Sequence, residues 1–252
     1  MKPYYLVTAF ALLVSAFVPR QETEDRHGPA LTPGPKFERL DKAKALLVIV
    51  DIQEGLINMV KDWDTALYKS NILAHSSLAQ VFNLPVIITS SAPVGPNGVV
   101  PKELIAMHPN ATIIDRSGEV NAWDSKEFRD AVRATGKTQI IVAGIMTDIC
   151  TTFLSLSLRE EGYGVWANAE ASGTTSVFIR DLANQRMMSA GVHVMSMLSI
   201  MSDLMRSWAD TPGAKELLPW IDTHFPPYGF LARAHGHAVQ DGVVLPGEDE
   251  IL

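Results

Sequence analysis

The sequence predicts an α/β chain: a three-layer sandwich around a central, mostly parallel sheet. Three observations carry this. Ala45–Val50 is continuously apolar, and the run ending at Gly144 reads the same way, the pattern of strands buried on both faces. Stretches of helical character and length separate the strands. Several of the strands end in polar residues, as they do where an open parallel sheet binds its ligand.

The elements follow in order. Ala45–Val50 is the first strand, and a helix pattern lies between Asp64 and Phe82. Residues 84–89 and 111–115 are the second and third strands. Residues 125–135 form a helix with Ser125 as its cap. Gln139–Gly144 is the fourth strand, and the helix over 148–159 carries Cys150. Residues 164–169 are a strand, 177–190 a helix and 192–195 the last strand. No internal repeat is visible. The tail from about Tyr228 is rich in Gly, Pro and His and reads as an extended arm. His235 and His237 lie there, and a metal role for them needs further ligands. The domain therefore spans 37–228, with an arm over 229–252.

With 252 residues and 47% hydrophobic content, the chain can bury one sizeable core. Lys+Arg number 21 against 28 Asp+Glu, a net charge of −7, with no basic block. Nucleic-acid binding is therefore not expected, because phosphate contacts need clustered Lys and Arg. The single cysteine excludes an internal disulfide framework and any multi-cysteine metal site. No cofactor and no metal are expected.

The N-terminus has a different character. After Met1-Lys-Pro, residues 4–18 form an apolar run of signal-peptide length, short for a membrane span. Val14-Ser-Ala16 supplies small residues that suit cleavage after Ala16. Residues 1–18 are expected to be a signal peptide or, alternatively, a membrane anchor. Residues 19–36, polar and rich in Pro, Gly and charge, are the linker. The expected location is secreted, periplasmic or lumenal, or membrane-anchored. Asn110-Ala-Thr112 is a glycosylation sequon, usable only in a eukaryotic secretory pathway.

Polar strand ends converge on one rim. Asp51 ends the first strand, Ser90 and Ser91 the second, Asp115 and Arg116 the third, and Glu170 the fifth. The segment from Gly144 to Cys150 follows the fourth. At the start of a helix, a thiol meets unpaired N–H groups whose field favours thiolate. Cys150 then has two readings on position alone: a small buried hydrophobe or a nucleophile. A cysteine nucleophile needs a base and a positive group. Asp51 follows a wholly apolar strand, so desolvation should raise its pKa and suit it to act as base; the rival role is a helix cap. Arg116 stays charged at working pH and stabilises Asp51 or a bound anion. The N–H groups of Ile149 and Cys150 are candidates for an oxyanion hole. These parts describe acyl transfer: attack by sulfur on an amide-like carbon, then hydrolysis.

The segments Leu47-Val-Ile-Val-Asp-Ile-Gln-Glu-Gly-Leu56 and Ala143-Gly-Ile-Met-Thr-Asp-Ile-Cys150 resemble the isochorismatase-like cysteine hydrolases. Gly95-Pro-Asn-Gly98, Arg116-Ser-Gly-Glu-Val-Asn-Ala-Trp-Asp124 and Ala171-Ser-Gly-Thr174 are similar to the YcaC-type branch. The resemblance covers about 37–228 and implies a Rossmann-like sandwich. It further implies a triad of Asp51, a basic residue and Cys150. The basic residue is lysine in most of the family; the matching position here is Arg116. A non-proline cis peptide is implied at Ile145–Met146, before Thr147, aiming an N–H into the oxyanion hole. Asn121 and Trp123 would line the substrate pocket, with Ser90 and Ser91. The nicotinamidases of this superfamily carry an Asp-x-His…His metal site. Here His108 is the only histidine between Ser90 and Cys150, which counts against a zinc nicotinamidase. Isochorismate-cleaving enzymes do not use this cysteine, which counts against that reaction.

The sequence thus points to a metal-independent cysteine hydrolase acting on a small amide-like C–N bond of a small-molecule substrate. The alternative is a non-catalytic binding or scaffold protein that retains the fold. A thiol redox sensor lacks a resolving cysteine. A nucleotide-binding enzyme lacks Gly-x-Gly-x-x-Gly after the first strand. The resemblance also implies a homo-oligomer, for which Trp208, Trp220 and Phe225-Pro-Pro-Tyr228 are contact candidates.

Overall fold

The structure, a computed structural model, describes residues 37–242. The expected signal peptide or anchor and the linker lie outside the described residues. Contacts divide the chain into two compact units, Arg39–Trp208 and one that takes in the C-terminal residues from Ala209.

The larger unit holds six strands: β1 (Ala45–Val50), β2 (Val86–Ser91), β3 (Thr112–Arg116), β4 (Gln139–Gly144), β5 (Gly164–Asn168) and β6 (His193–Met195). They form one sheet in the order β3-β2-β1-β4-β5-β6, and every pairing is parallel. The expected mostly parallel sheet is wholly parallel. β1 and β4 are buried along their whole length, which explains their apolar sequences. β1 lies between β2 and β4, and the chain runs outward from it in both directions. The carboxyl ends of these central strands form the crevice where doubly wound sheets bind ligands.

The helices are α1 (Glu54–Ile57), α2 (Thr65–Phe82), α3 (Lys102–Met107), α4 (Lys126–Ala134), α5 (Thr152–Glu160), α6 (Val177–Ser189) and α7 (Met197–Met205). The C-terminal unit adds α8 (Ala214–His224) and α9 (Pro226–Asp241). Short polar residues set the boundaries. Asp64 Oδ1 accepts from the N–H groups of Ala66 and Leu67 at 2.9 and 3.0 Å, starting α2. Asn83 ends it in the left-handed region at φ 51°. Ser125 caps α4, as its sequence position predicts.

Two expectations need correction. Cys150 does not sit in the first turn of an α-helix. Residues Thr147–Thr151 form a π turn, with the Thr151 N–H reaching back to the Met146 carbonyl at 3.2 Å, and α5 begins only at Thr152. Among the described residues the expected extended arm is also helical, because α9 opens on Pro226-Pro227, whose fixed φ suits a first turn. His235 and His237 lie on that helix. Within this unit Arg233 pairs with Asp222, and Trp220 packs against Phe225 with ring centroids 5.6 Å apart.

A histidine is sealed behind the sheet. His75 on α2 is fully buried, and Asn168 Nδ2 donates to its Nδ1 at 3.2 Å, so the ring is neutral. Burial pushes its pKa down to about 3, with His108 adding to the effect. The unfolded chain takes a proton on this residue below about pH 6.5 while the native state refuses it. Stability present above that pH should therefore fall as the pH drops from 6.5 toward 3. His108 is shifted the same way by burial and adds to the slope. Urea midpoints at pH 7 and 5 should separate in the wild type and draw together in His75→Gln. Equal separation in both would contradict the assignment.

Candidate active site

The sheet register assembles the site. Val50 pairs with Thr89 of β2 and with Gly144 of β4, while Ser91 of β2 pairs with Arg116 of β3. Residues from four segments therefore reach the same rim. Asp51 leaves β1 at φ 52°, a left-handed conformation that a short carboxylate side chain tolerates. Its N–H is held by the Thr89 carbonyl at 3.1 Å. Gly144 has to be glycine: a Cβ there would lie 2.1 Å from the Val50 carbonyl oxygen. Past β4 the chain stays bound to β1, with the Ile145 N–H on that same oxygen at 3.1 Å.

Asp51, Arg116 and Cys150 meet in one buried cluster. Asp51 is fully buried, and its Oδ1 accepts from the Thr89 hydroxyl at 2.6 Å. Its Oδ2 accepts from an Arg116 Nη, and the side chains of both partners are completely enclosed. The other Arg116 Nη donates to the Glu119 carbonyl. The Cys150 thiol lies beside this pair, near enough for the Asp51 carboxylate to act on its proton. Asp51 is thus a shared acceptor within the site, not the cap of a following helix.

The thiol differs from the sequence-based expectation. Burial pushes the Cys150 pKa up to about 12, and the negative charge of Asp51 adds to the rise. Arg116 and the backbone of Met146 oppose it only in part. The sulfur of the free protein therefore holds its proton at neutral pH.

The peptide Ile145–Met146 is cis, where the motif resemblance puts it. The N–H groups around it divide cleanly. Ile145, Thr147 and Ile149 direct theirs to the carbonyls of Val50, Gly173 and Met146, at 3.1, 2.9 and 3.2 Å. These three residues are therefore not available as oxyanion donors, Ile149 included, because local backbone pairing takes their N–H groups. Met146 is the residue whose backbone hydrogen-bonds toward the sulfur.

The four expected pocket residues behave differently from one another. Ser90 is buried and donates to Asp115 at 2.5 Å. Ser91 is clamped through its backbone: its N–H donates to Gln53 Oε1 at 2.8 Å and its carbonyl accepts from Asn97 at 2.8 Å. Asn121 caps the turn Ala122–Asp124 through the Trp123 N–H at 3.0 Å and donates to Ser157 at 3.0 Å. Trp123 is core, edge-on to Phe128 and Tyr163 at 6.1 and 5.9 Å, with Arg133 over its ring. Its buried edge contacts, not a ligand, account for the indole. Glu170 accepts from the Met197 N–H at 2.5 Å and so helps to start α7.

Sequence reasoning missed three supports. Thr89 is the polar end of an apolar strand beside Asp51, a signal that was visible. Gln53 is fully buried and binds Ser91 from both ends of its amide. Behind the π turn, the Thr174 hydroxyl donates to Asp148 at 2.6 Å and its N–H donates to Asp62 Oδ1 at 2.8 Å. These contacts join segments remote in sequence and leave no local pattern.

Comparison with known proteins identifies the family and the fold. Residues 45–198 match the family model described as an isochorismatase domain. The chain is 41% identical over 200 residues to "Probable hydrolase YcaC" of Escherichia coli, covering 79% of this chain and 95% of that protein. The structure of YcaC from Pseudomonas aeruginosa with hexane-2,5-diol and covalent acrylamide superposes with a TM-score of 0.78 at 40% identity, covering 81% of this chain and all of that one. The Escherichia coli YcaC structure, described as an octameric hydrolase of unknown specificity, gives 0.78 at 40% identity, covering 80% and 98%. With a family model spanning more than half of its residues, the chain belongs to the isochorismatase family of hydrolases.

Proposed function

We propose that the protein hydrolyses a small amide-like C–N bond through a covalent intermediate on Cys150. The observation that carries this reading is the buried cluster of thiol, Asp51 and Arg116. The thiol proton passes to Asp51 as the sulfur attacks the carbonyl carbon. A C–S bond forms and the carbonyl electron pair moves onto oxygen, near the Met146 N–H. The C–N bond then breaks, and the amine leaves with the proton returned by Asp51. Water attacks the thioester and gives its proton to Asp51. The C–S bond breaks and the proton returns to sulfur. Arg116 cannot shuttle protons; it holds the carboxylate in place and balances its charge.

A thiol with so high a pKa needs its base in contact, which supports direct transfer to Asp51 over a preformed thiolate. The test is a panel of small amides with acid quench and peptide mass spectrometry. An acyl adduct confined to the peptide bearing Cys150 is the expected result. Turnover without an adduct, undiminished in Cys150→Ala, would overturn the reading.

We further propose that the protein works as a homo-oligomer, in line with the octameric relative. On α6, Phe178 and Leu182 share a face and are 69% and 49% exposed. Light scattering after size exclusion should give a multimer for the wild type and a smaller species for Phe178→Asp/Leu182→Asp. A monomeric wild type would remove the proposal.

A further inference from the structure

We propose that the site selects uncharged substrates, small neutral carboxamides above all, over anionic ones. The inference rests on the cysteine-hydrolase reading above and concerns what that site admits. The charged groups that act on the Cys150 sulfur are Asp51 and Arg116. They already neutralise each other. One Nη of Arg116 is bonded to Asp51 and the other to the Glu119 carbonyl. Its Nε is buried without a hydrogen-bond partner, and the whole side chain is closed to solvent. The guanidinium is enclosed by the protein, so a substrate carboxylate does not reach its remaining N–H groups. An arginine that serves as an anion anchor presents its planar fork to the ligand; this one presents it to the protein.

The buried residues at the adjoining ends of β1 and β4 are neutral. Val50, Ala143, Ile145 and Met146 are buried around the end of β4, and the Met146 backbone supplies a dipole without net charge. An uncharged carbonyl oxygen can accept from such an amide. A carboxylate there would lose its water opposite the Asp51 carboxylate with no cation in return. The chain's net charge of −7 does nothing to offset this.

A matched pair of reagents tests the selection. Iodoacetamide and iodoacetate differ in little but charge. Each alkylates a thiol in the same way: a C–S bond forms as C–I breaks, iodide leaves with the electron pair, and the thiol proton passes through Asp51 to solvent. The full-length protein is treated with each at pH 7.5, labelling of Cys150 is followed by peptide mass spectrometry, and rates are divided by those of free cysteine in the same buffer. The normalised preference for iodoacetamide should be about 100-fold or more, the factor that a 2.7 kcal/mol barrier difference gives. A normalised ratio near one, or faster reaction with iodoacetate, would overturn the selection while leaving Cys150 as nucleophile. Failure of both reagents to label Cys150, with equal label in Cys150→Ala, would remove the nucleophile and the selection together.

Discussion

Replacing Arg116 with methionine should lower the free energy of unfolding by about 3–5 kcal/mol, the usual cost of removing one partner from a buried ion pair. The size follows from burial. Both side chains of the Asp51–Arg116 pair have zero exposure, so methionine would leave a carboxylate enclosed without its counter-charge. Thr89 would still donate to Asp51 Oδ1, but a hydroxyl cannot replace a cation. Arg116→Lys keeps the charge and should lose less, though it loses one of the two Nη contacts. The double variant Asp51→Asn/Arg116→Met should recover part of the loss, because no buried charge remains. Urea unfolding at fixed protein concentration reads all three. A single-variant loss below about 1 kcal/mol, the range of exposed pairs, would show that the pair is not sealed as described.

Cys150→Ala should reduce turnover by about 10⁴-fold or more while leaving the fold intact, since loss of a nucleophile removes every step that passes through it. Cys150→Ser is expected to fail nearly as far. A hydroxyl is a weaker nucleophile than a thiol and would depend on the same single carboxylate. Far-UV circular dichroism and the urea midpoint of Cys150→Ala should stay close to wild type, because alanine removes one small buried group. Retained turnover in a folded Cys150→Ala would place the chemistry elsewhere on the rim.

Much of this was legible in the sequence. Ala45–Val50 and Gln139–Gly144 kept their predicted bounds because a strand buried on both faces has little choice but to be apolar. The strands at the site lie further along the chain than predicted, with their lengths unchanged. β2 runs on through Ser90 and Ser91, and β3 through Arg116, because ladder pairing binds backbone and ignores side-chain polarity. The residues that look most like loop in the sequence are therefore strand ends, and that places Arg116 against Asp51. The grouping of Asp51, Arg116 and Cys150 could be read from strand-end positions and motif order.

Two features could not be read that way. The π turn around Cys150 depends on the link from Thr147 to Gly173, twenty-six residues on, and a local helical pattern gave no sign of it. The thiol within it is pushed up to about 12 by burial and by the charge of Asp51, where a helix start alone would have lowered it. Trp123 and Asn121 lie in a motif rich in polar and aromatic residues, yet their partners are Phe128, Tyr163 and Ser157. Short sequence context does not tell an indole in the core from one in a pocket.

The central claim is that Asp51 takes the Cys150 proton. Asp51 acts on the thiol in two opposed ways under the proposed mechanism: its charge helps keep the proton on sulfur, and its oxygen accepts that proton during attack. The most direct test is the rate at which iodoacetamide alkylates Cys150 at neutral pH in wild type and in folded Asp51→Asn. Loss of the base should slow the reaction by about 100-fold or more, the usual range for a positioned proton acceptor. An unchanged or faster rate in Asp51→Asn would mean that Asp51 only suppresses the thiolate, and would contradict its role as base.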